Sequence, residues 1–155
     1  MNFIEATELH ECFGEIEPRT KANITRRRRF HTGGVVRRLC ERAWEECQRE
    51  PRFASVLAET AAAIAGALPD DYYPSDAVNE LRGRAWKEYS TACRYRGDFT
   101  SGFDALVRAE RAYRRLIDPD VHLASVDMAR AAMLFEQQRY QEALPCARKS
   151  RSSPT

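Results

Sequence analysis

Histidine and cysteine are the side chains of this 155-residue sequence that could carry nucleophilic or metal chemistry. The three histidines are His10, His31 and His122, and the five cysteines are Cys12, Cys40, Cys47, Cys93 and Cys146. His10 and Cys12 could supply two ligands to zinc, but a zinc site needs three or four, and the other histidines are distant in the sequence. The sequence contains no G-x-S-x-G, no glycine-rich phosphate loop and no H-E-x-x-H. We therefore predict that the protein is not an enzyme and binds neither a metal nor another cofactor.

The cysteine pattern also bears on the cellular compartment. The number of cysteines is odd and no C-x-x-C occurs, which favours reduced thiols over a disulfide framework. The first residues include Glu5, Glu8 and Glu11 and no apolar run, so we expect no signal peptide. No apolar stretch approaches the roughly 20 residues of a membrane span. These features predict a cytoplasmic protein without a membrane partner.

A run of four arginines, Arg26–Arg29, is the densest charge in the chain. Such a run could contact phosphates, which would make the protein a regulatory nucleic-acid binder. The net charge is only +2, however, and no helix with base-reading Asn or Gln follows the run. Acidic residues nearby in the sequence, Glu11, Glu15 and Glu17, offset it. We favour a solvent-exposed run leading into the first helix and keep nucleic-acid binding as the alternative.

Helical periodicity extends from Thr32 nearly to the C-terminus, and no segment alternates with the period of a strand. The residues predicted to separate the helices are Pro51, Pro69, Gly97 and Pro119. Pro145 lies within the last helix and lacks a backbone donor, so we expect that helix to be short or kinked. The chain is thereby divided into an N-terminal segment (1–31) that is a short helix or partly disordered, a helical domain (32–148) and a disordered tail (149–155).

The first helix of this domain is predicted to begin at Thr32, whose side chain can cap the N-terminus. Its apolar residues follow helical spacing and form one stripe that we expect to face the core. They are Val35, Val36, Leu39, Cys40, Ala43, Trp44 and Cys47. Cys40 and Cys47 are therefore interpreted as core thiols.

The stretch GRAWKEYSTACRYRGDF, residues 83–99, combines a tryptophan, helically spaced apolar residues and an abrupt Gly-Asp stop. The tetratricopeptide pattern likewise has a tryptophan, an apolar residue three positions later, and then an aromatic residue and small residues in a 34-residue unit. With Trp86 at the tryptophan position, Tyr89 and Ala109 occupy pattern positions, and Gly97 precedes Phe99 at the turn. The chain therefore resembles the tetratricopeptide repeat family. Gly97 can adopt the positive φ of a tight helix-to-helix turn, and Trp86 is expected to fill the wedge between paired helices.

Two weaker units flank this central one. In FEQQRYQEALPCA, Tyr140 aligns with Phe99, Ala143 with Gly102 and Gln138 with Gly97, at an offset of 41 residues. In REPRFASVLAETAAAIA, Phe53 aligns with Phe99 at an offset of 46 residues. The sequence is also similar to a group of bacterial tetratricopeptide-like proteins that have an Arg-Arg-Phe before the first helix. The resemblance implies an all-α, right-handed array of about three antiparallel helical hairpins.

In the tetratricopeptide family, certain first-helix positions line a concave face. Carried onto the central unit, these positions are Arg84, Lys87, Thr91 and Arg94; the next unit would add Ser125, Met128, Ala132 and Phe135, and the first unit Arg38. The resemblance thus implies a cationic strip beside an apolar strip, suited to a peptide with an acidic end. The group of bacterial proteins often has Asn where this chain has Thr91. An alternative interpretation is that Glu80, Arg84 and Glu88 form an i, i+4 ladder on an exposed helix face.

These features predict a protein–protein interaction module, a scaffold or adaptor in a bacterial cytosol that binds a partner segment in a concave groove. Two alternatives stay open. The chain could be a nucleic-acid binder, as above, or a self-associating remnant of a longer array, because terminal repeats normally carry a polar outer face and the last hairpin here is apolar.

Overall fold

A computed structural model describes residues 31–69 and 71–152, and these residues form helices without any strand. The six helices are α1 (Gly33–Glu46), α2 (Pro51–Gly66), α3 (Ser75–Arg96), α4 (Phe99–Tyr113), α5 (Asp120–Glu136) and α6 (Tyr140–Ser152). The prediction of an all-α chain is therefore confirmed over this part of the protein. The predictions for Arg26–Arg29, His10 and Cys12 concern residues outside the described ranges.

Local sequence signals set several of the helix ends. Thr32 caps α1 as predicted, because its side-chain oxygen accepts a hydrogen bond of 3.2 Å from the Val35 amide. Pro51 occupies the first turn of α2, where a missing amide hydrogen costs nothing. Asp98 caps α4 by accepting a hydrogen bond of 3.2 Å from the Ser101 amide.

The turns that follow α3 and α5 have the same geometry. Gly97 has a φ of 75°, as its predicted role requires, and the Asp98 amide donates to the Cys93 carbonyl over 2.9 Å. At the positions 41 residues later, Gln138 has a φ of 61° and the Arg139 amide donates to the Leu134 carbonyl over 2.9 Å. Both turns are left-handed C-terminal caps that satisfy carbonyls at the helix end. In each case the next helix begins two residues after the left-handed residue.

Each helix packs against the next one along the chain, and α3 also packs against both α1 and α5. This packing is consistent with a helical array in which α3 is the central helix. One buried cluster joins α1, α2 and α3 and includes Leu39, Leu57 and Leu81. A second cluster joins α4 and α5 and includes Leu106 and Met133. The half-buried Trp86 of α3 packs against both clusters, so its ring connects the two parts of the core.

The C-terminal helix differs from the prediction in its extent. We expected Pro145 to shorten or kink it and the helical domain to stop at residue 148. The helix runs through Pro145 over 13 residues to Ser152, so the prediction of a disordered tail is wrong at residues 149–152, and the kink stays a prediction. Proline inside a helix removes one backbone hydrogen bond and crowds the carbonyl four residues before it. Here Pro145 and Gln141 are both exposed, so water can bind the freed carbonyl. Lys149 and Arg151 in the last turn further favour the helix through its dipole.

Candidate partner-binding groove

An open groove of about 520 Å³ lies between α1 and α3. Six side chains line it: Glu41, Trp44 and Glu45 from α1, and Arg84, Lys87 and Glu88 from α3. Two of them, Arg84 and Lys87, are residues that the sequence placed on a ligand-binding face. The groove thus contains an aromatic ring, two cations and three carboxyl groups.

Trp44 presents its ring to solvent in this groove, with 62% of the residue exposed. The sequence interpretation of Trp44 as part of the core stripe of α1 was wrong. The other six residues of the stripe are buried, whereas the tryptophan lies outside the buried sector of the helix. Exposed tryptophan is typical of interaction surfaces, because burial of its large ring against a partner yields a large free-energy gain.

Glu88 is the most unusual residue of the groove. Only 8% of it is exposed, and no hydrogen bond or ion pair joins its carboxyl group to another residue within 31–69 or 71–152. Burial raises the pKa of Glu88, and the nearby charges of Lys87 and Arg84 oppose that rise. The interpretation of Glu88 as part of an exposed ladder was therefore wrong: α3 is flanked by α1 and α5, and the carboxyl group lies at the α1–α3 contact.

Arg84 and Lys87 are half-buried, and among the described residues neither forms an ion pair within 4.0 Å. Lys87 and Glu88 lie three and four residues after Arg84, so both neighbour Arg84 on the helix surface, and all three line the same groove. Their charges remain available to a bound molecule. The groove can accordingly present positive and negative charge to one ligand.

The remaining predicted residues of the central and first units have partners within the protein. Arg94 forms an ion pair with Glu136 of α5, which connects α3 to α5. The Thr91 hydroxyl donates to the Lys87 carbonyl of its own helix over 3.1 Å. Arg38 pairs with Glu41 at 3.2 Å and with Glu45 at 3.7 Å. The predicted cationic strip is thereby reduced to Arg84 and Lys87.

Met128 and Phe135 lie in a separate groove of about 340 Å³ between α5 and α6. Its lining is Met128, Ala131, Ala132 and Phe135 of α5 and Tyr140, Ala143, Leu144 and Ala147 of α6. Phe135 is 62% exposed, and its ring contacts that of Tyr140 at 5.2 Å between centroids. The expectation that this apolar strip adjoins the α3 cations in one channel is not met, because Met128 and Phe135 open towards α6.

Sequence reasoning thus found two of the six groove residues, Arg84 and Lys87 of α3, and missed the three carboxyl groups and Trp44. The i, i+3, i+4 spacing of Glu41, Trp44 and Glu45 is the signal that could have revealed the residues of the α1 side. Trp44 has carboxylates three residues before it and one residue after it, and this position borders the solvent-facing side of the helix because the acidic neighbours must reach water.

Other classes of site are not apparent in the part of the chain that the structure describes. There, no group of three or more His, Cys, Asp or Glu residues could hold a metal ion. None of the helices described has both the length and the apolar character of a membrane span. Comparison with protein-family models, with curated proteins and with solved structures finds no significant match to this chain.

Proposed function

We propose that the protein is an interaction module, a scaffold or adaptor that binds a segment of a protein partner in the groove between α1 and α3. The single observation that carries this proposal is the composition of the groove. Two helices bring together an exposed tryptophan, two cations and the carboxyl group of the buried Glu88, and none of these three charged groups has an ion-pair partner among the described residues. Aromatic anchors and charged groups without internal partners are the features that binding surfaces use.

The proposed architecture is a tetratricopeptide-like array of three antiparallel hairpins, α1–α2, α3–α4 and α5–α6. Its support is the repetition of one left-handed turn at Gly97 and Gln138, at the 41-residue offset found in the sequence. Contacts of α3 with both α1 and α5 fit a stack in which the first helices of successive hairpins adjoin. In such an array the α1–α3 groove lies between two neighbouring repeats.

Selection from a random dodecapeptide phage library tests the proposed function. The protein should enrich a family of related peptides, and Trp44→Ala should lose most of their binding. Trp44 is largely exposed, so this variant is expected to fold. Val107→Ala is the matched control, because Val107 is also an exposed apolar side chain, 42% exposed, but lies on α4 and lines neither groove.

The proposal fails if no peptide family is enriched. It also fails if Trp44→Ala binds the selected peptides as well as Val107→Ala does, because the interaction surface would then lie elsewhere.

A further inference from the structure

We infer that the α1–α3 groove selects a partner segment that carries a Lys or Arg side chain directly next to an acidic residue. The cationic side chain is received by Glu88 against the ring of Trp44, and the acidic residue by Arg84 and Lys87. This inference rests on the proposed function and adds the chemistry of the ligand.

The cationic requirement follows from the state of Glu88. Only 8% of the residue is exposed, and its carboxyl group lines the groove and has no hydrogen-bond or ion-pair partner among the described residues. A buried carboxylate left unpaired is costly, and the groove is the direction from which a partner can reach it. Guanidinium and ammonium groups are the natural donors to a carboxylate, and such charge-assisted bonds are stronger than neutral ones.

The surroundings of Glu88 favour the same ligand. Glu41 and Glu45 add negative charge on the α1 side of the groove, although Arg38 pairs with both. The exposed face of Trp44 offers a cation–π contact to a guanidinium or ammonium group. The aliphatic part of Lys or Arg can also cover the ring while the charged end reaches the carboxyl group.

The acidic neighbour follows from the two cations of α3. Arg84 and Lys87 have no ion-pair partner within 4.0 Å among the described residues, and an isolated cationic ligand at Glu88 would be repelled by them. A carboxylate beside the cationic side chain removes that repulsion. A ligand with adjacent opposite charges therefore complements the groove better than a purely acidic or purely basic segment.

The sequences of the selected dodecapeptides test this inference separately from the proposed function. The wild-type protein should enrich Lys or Arg next to Asp or Glu. For one synthetic peptide from the selection, replacement of its Arg by citrulline, or its Lys by norleucine, should weaken binding by about ten- to a hundredfold. The same replacement should have little effect on binding to Glu88→Gln. Glu80→Gln, an exposed change on the same helix, should behave like the wild type.

Enriched peptides without a paired cation and anion would overturn the inference and leave the proposed function standing, whereas the absence of any enriched peptide would overturn both. An equal loss for the neutral peptide with wild type and Glu88→Gln would exclude Glu88 as the receptor of the cation. A last outcome concerns the chain's own basic run. If Arg26–Arg29→Gln tightens peptide binding about tenfold or more, and the charged and neutral peptides bind equally well, the basic run occupies the groove and the inference is wrong.

Discussion

Replacement of Gly83 by alanine should destabilise the protein, although the same change normally stabilises a helix. Gly83 is buried in the interior of α3, and glycine there lowers helix stability by about 1 kcal/mol relative to alanine. A Cβ atom at this position would lie 2.3 Å from Cε1, 2.5 Å from Cδ1 and 2.7 Å from Cζ of Tyr113. All three distances are shorter than a contact between carbon atoms, which is about 3.5–4.0 Å at its optimum.

The size of the destabilisation by Gly83→Ala depends on whether the Tyr113 ring can move away from the added Cβ atom. Tyr113 is 2% exposed, and its ring stacks on that of His122 with centroids 4.7 Å apart. Overpacking a tight core costs about 1–3 kcal/mol, and the restricted ring places this site in the upper part of that range. After subtraction of the helix-propensity gain, Gly83→Ala should lower the free energy of unfolding by about 2 kcal/mol.

Urea denaturation followed by circular dichroism measures this difference. Gly66→Ala is the matched control, because a Cβ added to Gly66 at the end of α2 meets nothing within 4 Å, and this variant should be as stable as the wild type or more so. In a Tyr113→Ala background, Gly83→Ala should instead be stabilising, since the clashing ring is gone. If Gly83→Ala is at least as stable as the wild type in the Tyr113 background, the close approach of α3 and α4 at this point is refuted.

Three further predictions concern the core, the groove and the basic run. Trp86→Ala should lower the free energy of unfolding by about 3 kcal/mol in urea denaturation, because the half-buried ring joins two core clusters and lies 4.6 Å below the Arg108 guanidinium carbon; a variant as stable as the wild type would exclude this wedge role. Glu88→Gln should stabilise the protein at pH 7, and the gain should vanish as the pH falls below about 4, where the carboxyl group is protonated in both the folded and unfolded states. The gain appears as the pH rises from the ordinary carboxyl pKa towards the raised pKa of folded Glu88, and a gain that instead grows at low pH would contradict the direction of that shift. Arg26–Arg29→Gln should leave the helical circular dichroism unchanged, and filter binding of the wild type to duplex DNA at ~0.15 M salt should be weak; tight binding that this variant loses would favour the nucleic-acid alternative.

Helix boundaries could be predicted from the sequence because they depend on local chemistry. Thr32, Pro51 and Gly97 act on the backbone within a few residues of themselves. The helix ends that they set can therefore be predicted without knowledge of the neighbouring helices. Gln138 extends this point: its alignment with Gly97 came from the sequence, and the structure gives both residues a positive φ. The end of α6 could not be predicted as well, since a proline in an exposed helix terminates the helix less effectively than one at a buried position.

The residues by which each helix faces the core could not be predicted as well as the helix boundaries. At about 100° per residue, the buried residues of α1 span a sector of roughly 160°, and Trp44 lies about 100° from its centre, just outside its edge. Steps of four residues drift by about 40° each, so the series Val36, Cys40 and Trp44 passes from the core to the surface. The prediction that Glu88 lies on an exposed face was wrong because α3 packs against helices on several sides. Little of the α3 surface is therefore left for a charged ladder.

The unfavourable burial of Glu88 connects the stability of the protein to its proposed function. The Glu88 carboxyl group has no partner among the described residues, and its burial raises its pKa, so the ionised form is unfavourable in the free protein. Under the proposed function, a cationic side chain entering the groove would supply that partner, and the free energy lost in the unbound state would then contribute to binding. The apolar α5–α6 groove offers no such discrimination, since any sufficiently large apolar side chain can cover Met128 and Phe135. Selectivity for charge should therefore reside at Glu88, and a substitution that stabilises the free protein there should make its binding less selective.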